Sequence, residues 1–443
     1  MSGSARRALS ALTALVLIGT LFVGAPGPTY ANGSDTYYVA QTGEPDGDGS
    51  SCTDPDFVGG DAAPIALAVD LATDGDTIYI CAGIYAIETN IVLGGGLTLQ
   101  GAGAGVTILD GGNTFNEDGS SNNNGHRILA GYGAITVSDI TFQNASYGAI
   151  WAPDVALAVF SSSFLNNTTD SYGGAIYNGD SGVVTIIDST FTGNTAPGSG
   201  GAVWTATAVV SESTFTNNDA ANDGGAIGTD VGNVTVSESI FKGNSAGDYG
   251  GSVYAGSTIT ATSSTFTGNS AGSSGGAIAA TNVTSNISSY TNNIAYSGGA
   301  IYALFTTANR STFIGNESQF GGAIDSFDAT ITSSNFMGNS AFQLGGAIAV
   351  ASGTIEKSRF ISNSSGEHGG AILLYSPNDD AIRQLKGNSF TRNRAGAGGA
   401  ITLGPCVEPT RIGAARVERA NRFSGNRATQ RRTNNVERWT EGC

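Results

Sequence analysis

The chain has 443 residues, of which 66 are Gly and only 10 Pro, with charged side chains at 12% and hydrophobic ones at 40%. Glycine at roughly 15%, against a usual ~7%, with so little Pro excludes collagen and Pro-rich disorder, and low charge with ample hydrophobicity excludes a disordered chain. The formal charge of −17 is uneven: residues 383–443 hold 12 Lys/Arg against 4 Asp/Glu, and the remainder 7 against 32, so the body carries −25 and is a poor partner for nucleic acid.

At the start, Arg6 and Arg7 precede an apolar run from Ala8 to Val23, and Thr29-Tyr30-Ala31 offers small residues for cleavage. Residues 1–31 therefore read as an export signal, which leaves about 412 residues after cleavage. The run is shorter than the ~20 residues a spanning helix needs, which argues against an uncleaved anchor, and no later stretch is long enough to span.

Residues 32–86 read as an N-terminal cap. Pro64 to Ala72, with Pro near its start and Gly75 after its end, predicts a short apolar capping helix, followed by a strand over Thr77–Ile80. Four Cys suit an oxidising compartment and lie in two pairs at opposite ends: Cys52 with Cys81, and Cys406 with Cys443. Three pairings are formally open. The fold argued below separates the two ends by tens of Å, so the pairing within each end is the expected one.

Residues 87–403 read as a parallel β-helix. Ile91-Val-Leu, Leu97 to Asp110 and Ile135 to Phe142 are degenerate rungs, and from Phe164 an aromatic-x-x-Asn motif takes over. Its aromatics are Phe164, Phe191, Phe215, Phe241, Phe266, Tyr290, Phe313, Phe336, Phe360, Phe390 and Phe423, each followed three residues later by Asn. Gly-Gly-Ala-Ile runs in phase, beginning at Gly173, Gly224, Gly275, Gly298, Gly321, Gly345, Gly369 and Gly398, with close variants at Gly200 and Gly250. The period of about 24 residues, rich in Ser, Thr, Val and Ile, supplies three short strands and their turns.

Stacking such rungs puts each aromatic above the next at ~4.8 Å inside the coil, where burial of each is worth roughly 1.5–3 kcal/mol. Asn suits a turn column because its amide both donates and accepts along the stack and the residue tolerates the left-handed region. Gly-Gly suits a corner of positive φ and close backbone approach. Ser two residues before the aromatic recurs from Ser162 to Ser358 and reads as a further ladder. The expected product is an all-β, single-stranded right-handed parallel β-helix of 13–15 rungs, about 65 Å long, with a short N-terminal capping helix. Residues 404–443 form the last rung and a basic cap.

These motifs resemble the polymorphic outer-membrane protein repeat family, whose hallmark is Phe-x-x-Asn paired with Gly-Gly-Ala-Ile, within the pectin-lyase-like β-helix superfamily. The resemblance covers roughly residues 142–426, and Tyr37 to Leu109 looks like the entry to exported β-helix proteins. It implies an exported surface protein, several members being adhesins. Members usually end in an outer-membrane barrel, whereas this chain stops about 40 residues after its last Gly-Gly-Ala. Secretion or loose surface attachment is therefore the expectation.

The residue after the inward Ile or Val of Gly-Gly-Ala-Ile points outward, and there the chain carries Trp151, Tyr177, Trp204, Tyr254 and Tyr302. Aromatics at multiples of ~4.8 Å match an extended sugar polymer and can stack on its rings; equally, they can pack on one another or under loops. A catalytic set can be assembled from Asn378-Asp379-Asp380, Arg383, Lys386 and His368, since polygalacturonases on this fold use Asp, His-Gly and a basic pair, but the order is reversed and the bland reading is a polar loop. Asp170, Asp223 and Asp248 stand on separate rungs, and Asp46-Gly-Asp48 reads as a turn, so no metal or other cofactor is expected. Two His, His126 and His368, leave little material for zinc or a His-dependent triad. Arg427, Arg431 and Arg432 can hold an anionic envelope polymer, dock on the acidic body or stay solvated.

The sequence thus predicts an exported, non-catalytic rod, secreted or at the cell surface, that meets a surface or extracellular glycan or protein in adhesion or envelope organisation. The alternative is a protein that binds or degrades a polysaccharide along the outward aromatic face.

Overall fold

The computed structural model describes residues 34–42, 50–112, 127–375, 382–404, 414–429 and 435–438. Residues 1–31, expected as an export signal, and Cys406, Cys443, His126, Asp46, Asp48, Asn378 to Asp380, Arg431, Arg432 and the Arg383 side chain lie outside them.

The chain winds as a right-handed parallel β-solenoid. Among the described residues, one lateral sheet holds fourteen strands stacked in chain order from Gly83–Ala86 to Arg422–Ser424, a second holds twenty-four, and the third face is made of two short sheets of four and five strands. Every pairing between these strands is parallel, and the register brings like residues together: Phe191 pairs with Phe215, Phe215 with Phe241 and Phe241 with Phe266. The aromatic ladder runs unbroken from Phe142 to Phe423, with ring centroids 4.5–5.0 Å apart and planes within 10°. Free aromatic pairs favour offset or edge-on contacts. Here the inter-strand spacing imposes a near-parallel stack.

The Asn column is buried and hydrogen-bonded along its length. Asn194 sends its backbone N–H and its Nδ2 to the same Asn218 Oδ1, and Nδ2 also donates to Phe164 O. Where Phe142 lacks the Asn, the Ala145 N–H takes the Asn167 Oδ1 and ends the ladder. The left-handed residue is not the ladder Asn but the one before it: Asn166, Gly193, Asn217, Gly243, Gly268 and Asn292 all have φ of 52–66°. This corrects the expectation for that turn. The preceding residue makes the bend, which leaves the ladder Asn free to turn its amide inward.

Serines 162 to 358 form the second polar ladder. Each backbone N–H up to Ser334 donates to the next Ser Oγ, as from Ser189 to Ser213 at 3.1 Å, Ser358 donates instead to Asn388 Oδ1 at 2.8 Å, and each hydroxyl donates to the carbonyl two residues earlier, as from Ser189 to Ile187 at 2.9 Å. At the Gly-Gly corners the first Gly has φ of 58–68°. A Cβ on the second would stand 2.1 Å from the carbonyl of the next corner, as Gly201 does against Gly225, so only Gly fits.

The first level is closed by the helix Ala62–Leu71, capped by the Asp61 carboxylate accepting from the Ala63 N–H, with Ile65 and Ala68 buried on the core. Buried Asp76 ties the segment after it, accepting from the N–H of Asp35 at 2.8 Å and from the N–H and hydroxyl of Thr73 at 2.7 and 3.0 Å. Cys52 and Cys81 form a disulfide. At the other end, Arg422–Ser424, Arg427–Ala428 and Val436–Arg438 extend the three faces, and a helix over Ala414–Ala420, which the sequence did not indicate, packs against the last strands.

Candidate ligand-binding face

Two columns flank the Gly-Gly corner. On the strand side the register places Trp151 beside Tyr177, Tyr177 beside Trp204, and Tyr302 beside Asp325, with Gly228, Tyr254 and Ala279 between. On the corner side, the residue just before each Gly-Gly pair forms a parallel column that includes Tyr249, Ser274, Ser297 and Phe320. Strand alternation thus brings all five sequence-predicted aromatics to one strip.

Their exposure differs. Trp204 is only 4% exposed: the Tyr172 ring lies 4.8 Å from it, and its Nε1 donates to Asp180 Oδ1 at 3.3 Å. It is therefore a covered structural ring and not an open stacking platform, because the corner before it folds Tyr172 over its face. Trp151 is partly buried, with Tyr132 edge-on at 5.6 Å and the Arg127 guanidinium 5.0 Å over its ring. Tyr177, Tyr254 and Tyr302 are each partly exposed, and Tyr249 lies 6.2 Å from Tyr254.

Carboxylates interleave with these rings. Burial pushes the Asp223 carboxyl up, opposed by the hydrogen bond it accepts from the Tyr249 N–H at 3.0 Å, while Asp248 and Asp230 add repulsion. Asp325 is the clearest case: burial pushes its carboxyl up to about 7, and the Ser297 hydroxyl beside it only partly offsets that. The hydroxyls of Tyr254, Tyr302 and Tyr375 are pushed up by burial first and then by the neighbouring carboxylates. Tyr375 reaches back across the strip, its hydroxyl 3.5 Å from Ser326 O.

The sequence reading missed Asp325, Asp180 and Tyr375. Asp325 had a usable signal, since it follows Gly321-Gly322-Ala323-Ile324 in the same position as the aromatics. Tyr375 had none. Of the weaker candidates, Lys386 pairs with Glu356 at 3.4 Å, Asp170 is exposed, and the His368 carbonyl accepts from the Ser365 hydroxyl at 3.0 Å at its corner. Among the described residues no three His, Cys, Asp or Glu side chains converge to hold a metal. No helix among them is long and apolar enough to cross a membrane.

A family model described as a right handed beta helix region matches residues 128–316. That match and the solenoid geometry agree on a right-handed parallel β-helix. Among solved structures, the chain is similar to XylC in complex with xylose, at 11% identity over 88% of this chain and 86% of that one, TM-score 0.37. It is similar also to the catalytic unit of a thermostable GH87 alpha-1,3-glucanase from Streptomyces thermodiastaticus, at 14% identity over 94% of this chain and 71% of that one, TM-score 0.37. A third is the A-module of the mannuronan C-5 epimerase AlgE6 from Azotobacter vinelandii, at 11% identity over 85% and 92%, TM-score 0.28. No curated protein matches the chain.

Proposed function

We propose that this chain is an exported, non-catalytic β-helix that holds an extended polysaccharide along the Gly-Gly corner strip, and so serves adhesion or envelope organisation outside the cell. The observation that carries the reading is the strip itself: Tyr177, Tyr254 and Tyr302 present partly exposed rings on rungs a multiple of ~4.8 Å apart, with Asp223 on a rung between Tyr177 and Tyr254 and Asp325 on the rung after Tyr302. Rings supply apolar stacking, and carboxyl groups supply hydrogen bonds to sugar hydroxyls. The run from Arg6 to Ala31 supports export, and the paired Phe-x-x-Asn and Gly-Gly-Ala-Ile motifs support kinship with the polymorphic outer-membrane repeats.

A second reading, an enzyme acting on the same polymer, is favoured by Asp325, whose carboxyl at about 7 can hold a proton at neutral pH. Depletion of the purified chain by immobilised polysaccharides tests both. Binding weakened by Tyr254→Ala and by Tyr302→Ala supports the strip, and release of soluble sugar lost in Asp325→Asn turns the conclusion to the enzyme. No depletion by any polymer overturns the sugar-binding reading.

A further inference from the structure

The two ends of the rod differ in charge and carry apolar surface that a terminal cap ordinarily hides. Among the described residues, 34–112 contain 9 Asp/Glu and no Lys or Arg, whereas 383–438 contain 9 Lys/Arg and 2 Asp/Glu. The rod is about 65 Å long, many times the ~8 Å screening length at physiological salt, so the ends do not neutralise each other within one molecule. Their attraction acts between molecules.

At the N-terminal end, the capping helix Ala62–Leu71 buries Ile65 and Ala68 on the core and leaves its opposite face exposed. On that face Leu67 is 55% and Leu71 60% exposed, one turn apart, with Asp70 exposed beside them and Asp74 exposed just past the helix end. Solenoid caps keep a polar outer face to stay apart. This one presents two leucines bordered by carboxylates. At the C-terminal end the aromatic ladder stops at Phe423, stacked on Phe390 at 5.0 Å and only partly buried, and Arg419, Arg422 and Arg427 are exposed around it. One end is thus apolar within an acidic border, the other apolar within a basic one.

We propose that the protein associates head to tail, the basic C-terminal end of one copy seating on the Leu67–Leu71 stripe and its acidic border in the next. The contact is heterologous: each copy uses one end as donor and the other as acceptor, so association continues into a linear chain of rods with their lateral strips in series. Glycan binding plays no part in this argument.

Sedimentation velocity on the full exported chain tests it, at rising concentration in low and high salt. The expected result is a weight-average mass that climbs past the dimer in low salt and returns to the monomer in high salt. A Leu67→Lys/Leu71→Lys variant and an Arg419→Glu/Arg422→Glu variant, both changed only at exposed positions, each stay monomeric alone. Mixed together they form a one-to-one dimer and nothing larger, because each retains one working end. A monomer at every concentration overturns the proposal. So does a monomeric leucine variant beside an arginine variant that still associates, which signals symmetric pairing of N-terminal caps. A leucine variant with a lowered melting temperature and unchanged mass also overturns it, since a segment of the same chain then covers the stripe.

Discussion

Asn269 directs both its backbone N–H and its side-chain Nδ2 at a single acceptor, Oδ1 of Asn293, at 3.0 and 2.9 Å. Replacing Asn293 by Ala leaves both donors without that acceptor in a fully buried turn and deprives the Phe266 carbonyl of the Asn293 Nδ2. The expected loss is about 2–4 kcal/mol, read from the midpoint of urea unfolding. Asn293→Asp should recover only part, since a carboxylate accepts from below but cannot donate to Phe266.

Tyr290 is the one ring in the stack that carries a hydroxyl. That hydroxyl is fully buried and makes no well-formed hydrogen bond among the described residues, with Ser285 the polar side chain near it, and burial pushes its pKa far above the usual value. Tyr290→Phe keeps the ring in its 4.8–4.9 Å stack with Phe266 and Phe313. It is expected to stabilise the protein by about 1 kcal/mol in thermal unfolding, because a desolvated polar atom is removed and no bond is lost.

Asp76 sets an acid limit at the cap. The backbone N–H groups of Thr73 and Asp35 hold its carboxyl below the ordinary value in the folded chain. The stabilisation is therefore complete above the unfolded value of ~3.9 and disappears as pH falls through the lower folded one. Urea midpoints measured down this range should drop for the natural chain, and Asp76→Asn should start lower and show a shallower decline.

Asp325 acts in the opposite sense. Its folded carboxyl titrates near 7, above the unfolded value, so folding favours the protonated form. Stability is highest below about 4 as far as this group is concerned, and it declines as pH rises from there through about 7. Asp325→Asn should flatten that decline in thermal melts across the same range.

The core was legible in the sequence because a solenoid repeats its reasons. Phe191, Asn194 and Gly200 recur in phase with their counterparts on every rung, and one physical argument for each covers the whole column. The register and the buried Ser ladder followed. What escaped depends on contacts between unlike positions. Strand alternation gave the side of Trp204 but not the Tyr172 ring that covers it, since that ring comes from a corner on the preceding rung. The left-handed residue was placed one position late because Asn is common both in the bend, as Asn166, and in the ladder, as Asn167. Tyr375 lies 49 residues from the carbonyl it reaches, and no periodicity announces it.

The two side-chain ladders also bear on how such a chain changes length. A rung takes its partners only from the level below and the level above, and successive ladder Asn residues are spaced by anything from 23 to 33 positions. Duplicating or deleting one complete circuit therefore joins matching surfaces and moves the two ends by one strand spacing. A single residue gained between Phe and Asn breaks the three-residue interval of that rung and takes its Asn out of the column. Rod length can thus change in whole steps, while the three-residue interval between ring and amide cannot.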